Sequence, residues 1–377
     1  MVIFEKKIAM IPVGCVEKCR GCKHREWSKT DSLAQKFSFL QSKLKPWVNI
    51  IEQVRSVDEC NRWGYRDKTT LSTYFNGDSW EFGMWSRDEL ISIPACPIHS
   101  LRTNDILKII RESIPKSSSF QLAFVVLSGA QIVLVIKSKG MPSTEWNSEI
   151  LRSSLSGLGI EGFWIHLNPS TGKRIFEKNN WQLIWGKPRS VDYNGLIYGP
   201  AAFQQLLPEL YNQSLNETVD FFEADKDSSV IDLYCGSGNS MKHWTKSGAQ
   251  VIGVELGGDA VECAKINVPE ATVLRGACRQ RIPQIDEWAI EQKSEKKRIL
   301  LYANPPRTGL ETEVLSWIIN KGQPLKIAYL SCSPGTLSKN IDLLTLNGYS
   351  VSRLIPFDFF PQTIHVECLA LLERKDL

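Results

Sequence analysis

From residue 230 onward the chain alternates short apolar runs with helix-patterned stretches, and this alternation restricts the fold more than any other feature. The runs 230–233, 251–255, 299–303 and 327–330 read as strands, and 240–247 and 258–267 as helices. Strands joined through helices lie parallel and are covered on both faces, with ligands bound beyond their carboxyl ends. A last run, 366–372, reads as a closing strand, and 206–224 as a helix that leads into the alternation. The pattern before it is mixed. Residues 32–45 read as a helix, 68–74 and 81–84 as strands, and 104–113 as a helix. The runs 120–127 and 131–137 form a hairpin around Ser128-Gly129-Ala130, and 162–168 is a further strand. Loops are expected from there to about residue 195. An α/β fold follows, with boundaries expected near 60 and 195 separating a cysteine-bearing N-terminal region (1–60, completed by Cys96), a central α+β domain (61–195) and a doubly wound parallel-rich domain (196–377).

The first strand of the alternation ends in Asp232-Leu233-Tyr234-Cys235-Gly236-Ser237-Gly238, and a helix follows. Glycines there let the backbone turn sharply and approach a ligand. Glu255 ends the next strand, where a carboxylate can take both hydroxyls of a ribose. The loop opens on an acidic residue and reads G-x-G. It therefore resembles the loop of S-adenosylmethionine-dependent methyltransferases more than a dinucleotide site. Without a ligand, the same residues would make an ordinary turn.

Two further strands end in reactive-looking segments. Asn304-Pro305-Pro306-Arg307 closes one, its prolines holding the backbone extended so that Asn304 can face the crevice. Ile327 to Ser331 leads directly to Cys332 and then to the turn Pro334-Gly335. A cysteine there is either a small buried apolar residue or a thiol that reaches a substrate. Asn-Pro-Pro loops occur in amino-methyltransferases, but the Arg after the prolines and the downstream Cys332 suit carbon methylation better.

Ser331-Cys332-Ser333-Pro334-Gly335-Thr336 and Phe360-Pro361-Gln362-Thr363-Ile364-His365-Val366-Glu367 resemble the Ser-Cys-Asn-Pro-x-Thr and Phe-Pro-x-Thr-x-His-x-Glu motifs of the RNA uridine-5-methyltransferase family. Gly64-Tyr65-Arg66-Asp67-Lys68 resembles its Phe-Arg-Asn-Lys element, and Phe203-Gln204-Gln205 its Phe-Phe-Gln-x-Asn element. The resemblance implies a Rossmann-like class I methyltransferase domain that takes a methyl group from S-adenosylmethionine to carbon 5 of a uridine in RNA. Cys332 is then the nucleophile and Glu367 the base. Gln205, Asp232, Tyr234, Gly236, Gly238, Glu255 and Asn304 would contact the methyl donor, and Asn304, Arg307 and Arg66 the RNA. Four positions depart from the family pattern. Leu207 stands for Asn, Ala277 for an Asp that often contacts the cofactor, Ser333 for Asn and Asn304 for Asp. A non-catalytic RNA-binding or RNA-folding protein that keeps the fold, or a cytosine-5 methyltransferase, would share most of these residues.

Cys15, Cys19 and Cys22 are closely spaced, and Cys96 lies far downstream. Three near cysteines and a remote fourth can hold an iron–sulfur cluster or a zinc ion. In the barrel-less ribosomal RNA branch of the family a similar arrangement holds a 4Fe–4S cluster, so the resemblance implies that cluster here and a ribosomal RNA substrate. Cys60 is a spare thiol, while Cys235, Cys263, Cys278 and Cys368 read as core or loop residues. The net charge of +4 permits an RNA partner without requiring one. No apolar run reaches the ~18 residues of a membrane helix, and no signal peptide is read at the N-terminus. A monomeric, cytoplasmic protein without a membrane partner is expected, its cysteines reduced or metal-bound.

Overall fold

The computed structural model describes residues 11–116, 120–143, 145–170 and 175–375. In chain order, α1 (Lys29–Lys43) precedes β1 (Lys68–Phe75), β2 (Trp80–Ser86), β3 (Glu89–Ser92), α2 (Leu101–Ser113), β4 (Leu122–Ser128), β5 (Gln131–Ile136), α3 (Glu149–Gly157), β6 (Gly162–Leu167) and β7 (Trp181–Gly186). A short ribbon follows, β8 (Ser190–Val191) and β9 (Ile197–Tyr198). Then come α4 (Pro208–Phe222), β10 (Ser228–Leu233), α5 (Asn239–Lys246), β11 (Gln250–Glu255), α6 (Gly258–Asn267), β12 (Thr272–Arg275) and α7 (Cys278–Ser294). The chain ends with β13 (Arg298–Ala303), α8 (Thr312–Trp317), β14 (Lys326–Ser331), α9 (Pro334–Leu346), β15 (Tyr349–Phe357) and β16 (Glu367–Arg374). Among the described residues no helix is long and apolar enough to cross a membrane.

The described residues fall into two compact units. The first holds 27–57 and 207–375, the second 11–26 and 58–206. In the first unit the sheet order is β12-β11-β10-β13-β14-β16-β15. Strands β10 to β14 are parallel, and β16 runs antiparallel between β14 and β15. Every residue of β10 is buried, as the middle of a sheet covered on both faces requires. The order reverses about β10. The loops after β10 and β13 therefore diverge at a topological switch point, where a crevice opens.

Residues 27–57, expected to accompany the cysteines, pack with this unit. Segment 51–55 runs parallel to β15, with bridges at Ile51–Leu354 and Arg55–Phe357, and so covers an edge that would otherwise present bare peptide groups. Arg55, Glu217, Arg353 and Glu52 close a ring of ion pairs over that edge. On α1, the fully buried Lys36 ammonium meets Asp358 Oδ1 at 2.5 Å and the Phe360 carbonyl at 3.2 Å. It thereby anchors the start of the segment that ends at Glu367.

The second unit holds a sheet of order β3-β2-β1-β4-β5-β6-β7, antiparallel except between β5 and β6. Helices α2 and α3 lay Ile106, Leu107, Ile110, Leu151 and Leu155 on one face. Aromatic residues Phe124, Trp164, Phe176 and Trp181 cover Val126, Val133 and Val135 on the other. The expected hairpin around Ser128-Gly129-Ala130 is present. Strand β7, however, lies where only loops were expected. Trp181 and Trp185 sit far enough apart to be missed as an alternating run, and β7 pairs with β6 across an irregularity at Phe163/Trp164.

Candidate functional site

The glycine loop takes the backbone through left-handed conformations at Tyr234 (φ 62°), Gly236 (φ 56°) and Gly238 (φ 90°). At Gly236 a Cβ would meet nothing within 4 Å, so this backbone faces open space on its ligand side. Hydrogen bonds from Cys235 N to the Val254 carbonyl and from Asn267 Nδ2 to the Ser237 carbonyl hold the loop against β11 and α6. The Glu255 carboxylate bridges two peptide groups, accepting from Gly236 N at 3.1 Å and Gly257 N at 2.6 Å. Beside it, Leu256 is 68% exposed, an apolar surface left bare next to a hydrogen-bonding carboxylate. Sequence reasoning passed over Leu256, although its place directly after the strand-ending acid was a usable signal.

Asp232 does not face the crevice. It is fully buried, and Trp244 Nε1 donates to its Oδ2 at 2.7 Å. Burial pushes its carboxyl up to about 7, against hydrogen bonds from Ser240 and Trp244 that hold it down. The side chain thus braces the loop from below by tying β10 to α5.

At the ends of β13 and β14 and the start of β16 the residues expected to react converge. In the β14–β16 register Ser331 stands opposite Cys368, which sets Cys332 and Glu367 beside each other at neighbouring strand ends. Cys332 is half-buried and directly precedes the residue that caps α9, where helix amides and dipole favour a thiolate. Burial and the Glu367 charge push its thiol up, while Arg307 draws it down. Glu367 is only 5% exposed. Burial lifts its carboxyl to about 7, and the Arg307 guanidinium opposes the lift. One exposed arginine therefore acts on both groups.

Neighbouring bonds fix the loop that carries Arg307. Thr336 Oγ1 donates to the Arg307 carbonyl at 3.2 Å and lies 2.9 Å from Ser333 Oγ. The buried Asn340 side chain accepts from Leu310 N and from Tyr329 Oη. Gly309 (φ 80°) is required here, since a Cβ would lie 2.4 Å from Thr336. Asn304, half-buried after the end of β13, donates its backbone N–H to the Leu233 carbonyl at 3.3 Å and so stands next to the glycine loop. Asn304, Arg307, Cys332, Glu367, Gly236, Gly238 and Glu255 all belong to the first unit.

Gln205 and Arg66 belong to the second unit. Arg66, expected to meet RNA, bridges to His99 through its backbone, and its guanidinium acts on the Cys22 thiol and the His99 ring. The four N-terminal cysteines are neighbours. Burial and the surrounding Cys96, Cys19 and Cys15 push the Cys22 thiol up to about 12. The Cys96 thiol is also raised by burial, against N–H bonds from Ile98 and His99 that lower it. Arg25 spans the loop, donating to the Val16, Cys19 and Glu17 carbonyls. As the side chains stand, no three His, Cys, Asp or Glu among the described residues are disposed to hold a metal ion. The donor set suits a thiophilic centre in kind.

A parallel-rich α/β unit with a glycine loop and a strand-ending acid at its switch point has the Rossmann-like fold of S-adenosylmethionine-dependent methyltransferases. The solved structure of Pyrococcus abyssi tRNA (uracil-54, C5)-methyltransferase, in complex with S-adenosyl-L-homocysteine, has this fold. It covers 94% of the chain and 86% of its own length, with a TM-score of 0.68 at 19% identity. Residues 288–375 match the family model described as tRNA (uracil-5-)-methyltransferase. An uncharacterized RNA methyltransferase of Clostridium tetani is 27% identical over 389 residues, spanning 96% of this chain and 82% of that protein. One of Protochlamydia amoebophila is 28% identical over 377 residues, spanning 95% and 82%. Residues 288–375 thus resemble the tRNA (uracil-5-)-methyltransferase family, and over most of its length the chain is similar to RNA methyltransferases.

Proposed function

We propose that the protein methylates carbon 5 of a uridine in ribosomal RNA, with Cys332 as nucleophile and Glu367 as base. The observation that carries this reading is the shared placement of Cys332, Glu367 and Arg307 at one strand-end cluster next to the glycine loop. The ribosomal target rests on the resemblance of the N-terminal cysteine layout.

Glu255 and the Gly236–Gly238 backbone would hold the nucleoside part of S-adenosylmethionine, with Leu256 against a flat ring. When bound, the cofactor supplies an electrophilic methyl group. Carbon 5 of uracil is too poor a nucleophile to take that methyl unaided. The Cys332 thiolate adds to carbon 6, and the electron pair of the 5,6 double bond moves into an enolate that enriches carbon 5. Arg307, whose guanidinium favours the thiolate, and Asn304 can donate to the ring oxygens as charge develops there. After carbon 5 is methylated, Glu367 removes its proton, the double bond re-forms, and the carbon 6–sulfur bond breaks to release Cys332. The target base must leave its stack to reach a half-buried thiol.

Nucleoside mass spectrometry tests this reading. The protein is incubated with isotopically labelled S-adenosylmethionine and RNA from cells lacking 5-methyluridine, beside C332A. Label in 5-methyluridine, made by the parent alone, is the expected result. Label in 5-methylcytidine would change the substrate, and no label on any RNA pool would overturn the enzymatic reading.

We also propose that Cys15, Cys19, Cys22 and Cys96 hold a 4Fe–4S cluster, zinc being the other centre this donor set suits. Two guanidiniums flank the thiols, which suits a centre of net negative charge. No step of methyl transfer runs through this site.

A further inference from the structure

The chain turns between Pro306 and Gly309, with Gly309 N donating to the Pro306 carbonyl at 2.9 Å and Arg307 exposed at the corner. Side chains of α9 hold both sides of this turn. Thr336 Oγ1 donates to the Arg307 carbonyl at 3.2 Å, and Asn340 Oδ1 accepts from Leu310 N at 3.2 Å. Thr336 and Asn340 are spaced i, i+4 and lie one above the other on one helix face. Tyr329 Oη donates to the same Asn340 oxygen at 2.9 Å and so holds it toward Leu310. Asn340, Leu310 and Tyr329 are all buried, where a lost partner is not replaced by bulk water. Gly309 fits against them because it has no Cβ; one would lie 2.7 Å from Asn340 Oδ1. Cys332 lies between β14, which carries Tyr329, and α9, which carries Thr336 and Asn340. The elements that hold the Arg307 turn therefore also hold the thiol, all within the first unit.

We propose that Asn340 is a positioning residue that, with Thr336, keeps the Arg307 turn in register with Cys332, so that the guanidinium meets the base oxygen on which charge develops as the thiolate adds. The inference rests on the reading of Arg307 as a donor to the target uracil. An exposed guanidinium on a free loop would swing away from that oxygen. A turn pinned at 307 and 310 to the helix that follows Cys332 keeps donor and nucleophile on one frame. Donors held in place before charge develops stabilise the transition state most, and a shift of about 1 Å can cost about 10²-fold. The contact strengthens as the adduct forms, so its loss falls on kcat and leaves binding of the methyl donor unchanged.

Replacing Asn340 by Leu leaves Leu310 N and Tyr329 Oη without their acceptor and frees one side of the turn. Expected for N340L is a kcat on uridine RNA about tenfold lower, with KM for S-adenosylmethionine within about twofold. N340D restores an acceptor for both donors and should recover most of the rate. In an R307A background, adding N340L should cost less than about twofold, because no guanidinium is left to place. T336V loses the bond to the Arg307 carbonyl alone; it should lower kcat in the same Arg307-dependent way, and it decides the case if N340L does not fold. A parental kcat in N340L, or in T336V where N340L is unfolded, overturns the assignment. So does a cost that persists undiminished in R307A or that N340D does not relieve, since Asn340 would then serve structure alone. If the parent makes no 5-methyluridine, it is the proposed function that fails, whereas an active parent and an impaired R307A beside an unaltered N340L refute only the role of Asn340.

Discussion

Lys36→Met should be among the most damaging single changes outside the reacting groups. The Lys36 ammonium is fully buried and satisfies Asp358 and the Phe360 carbonyl at once. Methionine fills the same volume but leaves a carboxylate buried without its counter-charge. Removing one partner of a buried pair costs about 3–5 kcal/mol, because the survivor cannot recover its hydration. That is a large share of the ~5–15 kcal/mol that holds a domain together. The loss is local to the path from Asp358 to Glu367, so hydrogen exchange read by mass spectrometry is the suitable assay. Amides of β15 and β16 should lose protection by about 10²–10⁴-fold, which is that free energy at 1.36 kcal/mol per decade. The methyl-transfer rate should fall with them, since Glu367 begins β16. The double variant Lys36→Met, Asp358→Leu should regain much of the protection, because an apolar pair of similar volume replaces both charges. Native protection in the single variant, or a double variant no better than the single, would refute the reasoning.

The remaining predictions concern charge and metal. The methyl-transfer rate should rise with pH through about 7 as Glu367 loses its proton. E367Q should lack that limb, and Arg307→Gln should shift it upward, because the guanidinium that lowers both Glu367 and Cys332 is gone. Asp232 is raised from 3.8 to about 7 in the fold, so the folded state holds a proton that the unfolded chain has released between those values. Stability should therefore fall as pH rises from about 4 to 7, by roughly 4 kcal/mol at most. Asp232→Asn, which keeps an acceptor for Trp244, should flatten that part of a denaturation-versus-pH series, and a parent whose stability rises over the same range would refute the sign. Anaerobically purified protein should be brown, with sulfur-to-iron absorption that Cys19→Ser removes; a colourless, zinc-loaded protein would replace the cluster by zinc.

Much of the first unit was legible because its chemistry is local in sequence. A glycine loop after a strand, a carboxylate ending the next strand and a cysteine before a Pro-Gly turn each announce themselves within ten residues. Helix α6 spans the expected residues 258–267, and β13 and β14 lie within a residue or so of expectation. What stayed hidden depends on contacts between distant segments. Nothing in Lys36 marks it as the buried partner of Asp358, since a lysine in a polar helix reads as solvated until α1 is seen against the last crossover. Asp232 looked like a ligand contact because it opens the loop, yet alternation along β10 turns its side chain toward Trp244 and away from the crevice.

Burial reconciles these two cases with the chemistry. In the proposed reaction a lifted carboxyl makes Glu367 a stronger base near neutral pH, and its burial at the start of β16 supplies that lift. The cover is supplied in part by the segment that Lys36 anchors and by helix α4, which packs against β16. The groups proposed to react could be read from motifs, but the burial that lifts Glu367 comes from packing that no motif describes. Variants of Lys36 should therefore alter the rate without touching Cys332 or Glu367, which separates the groups proposed to react from the packing that tunes them.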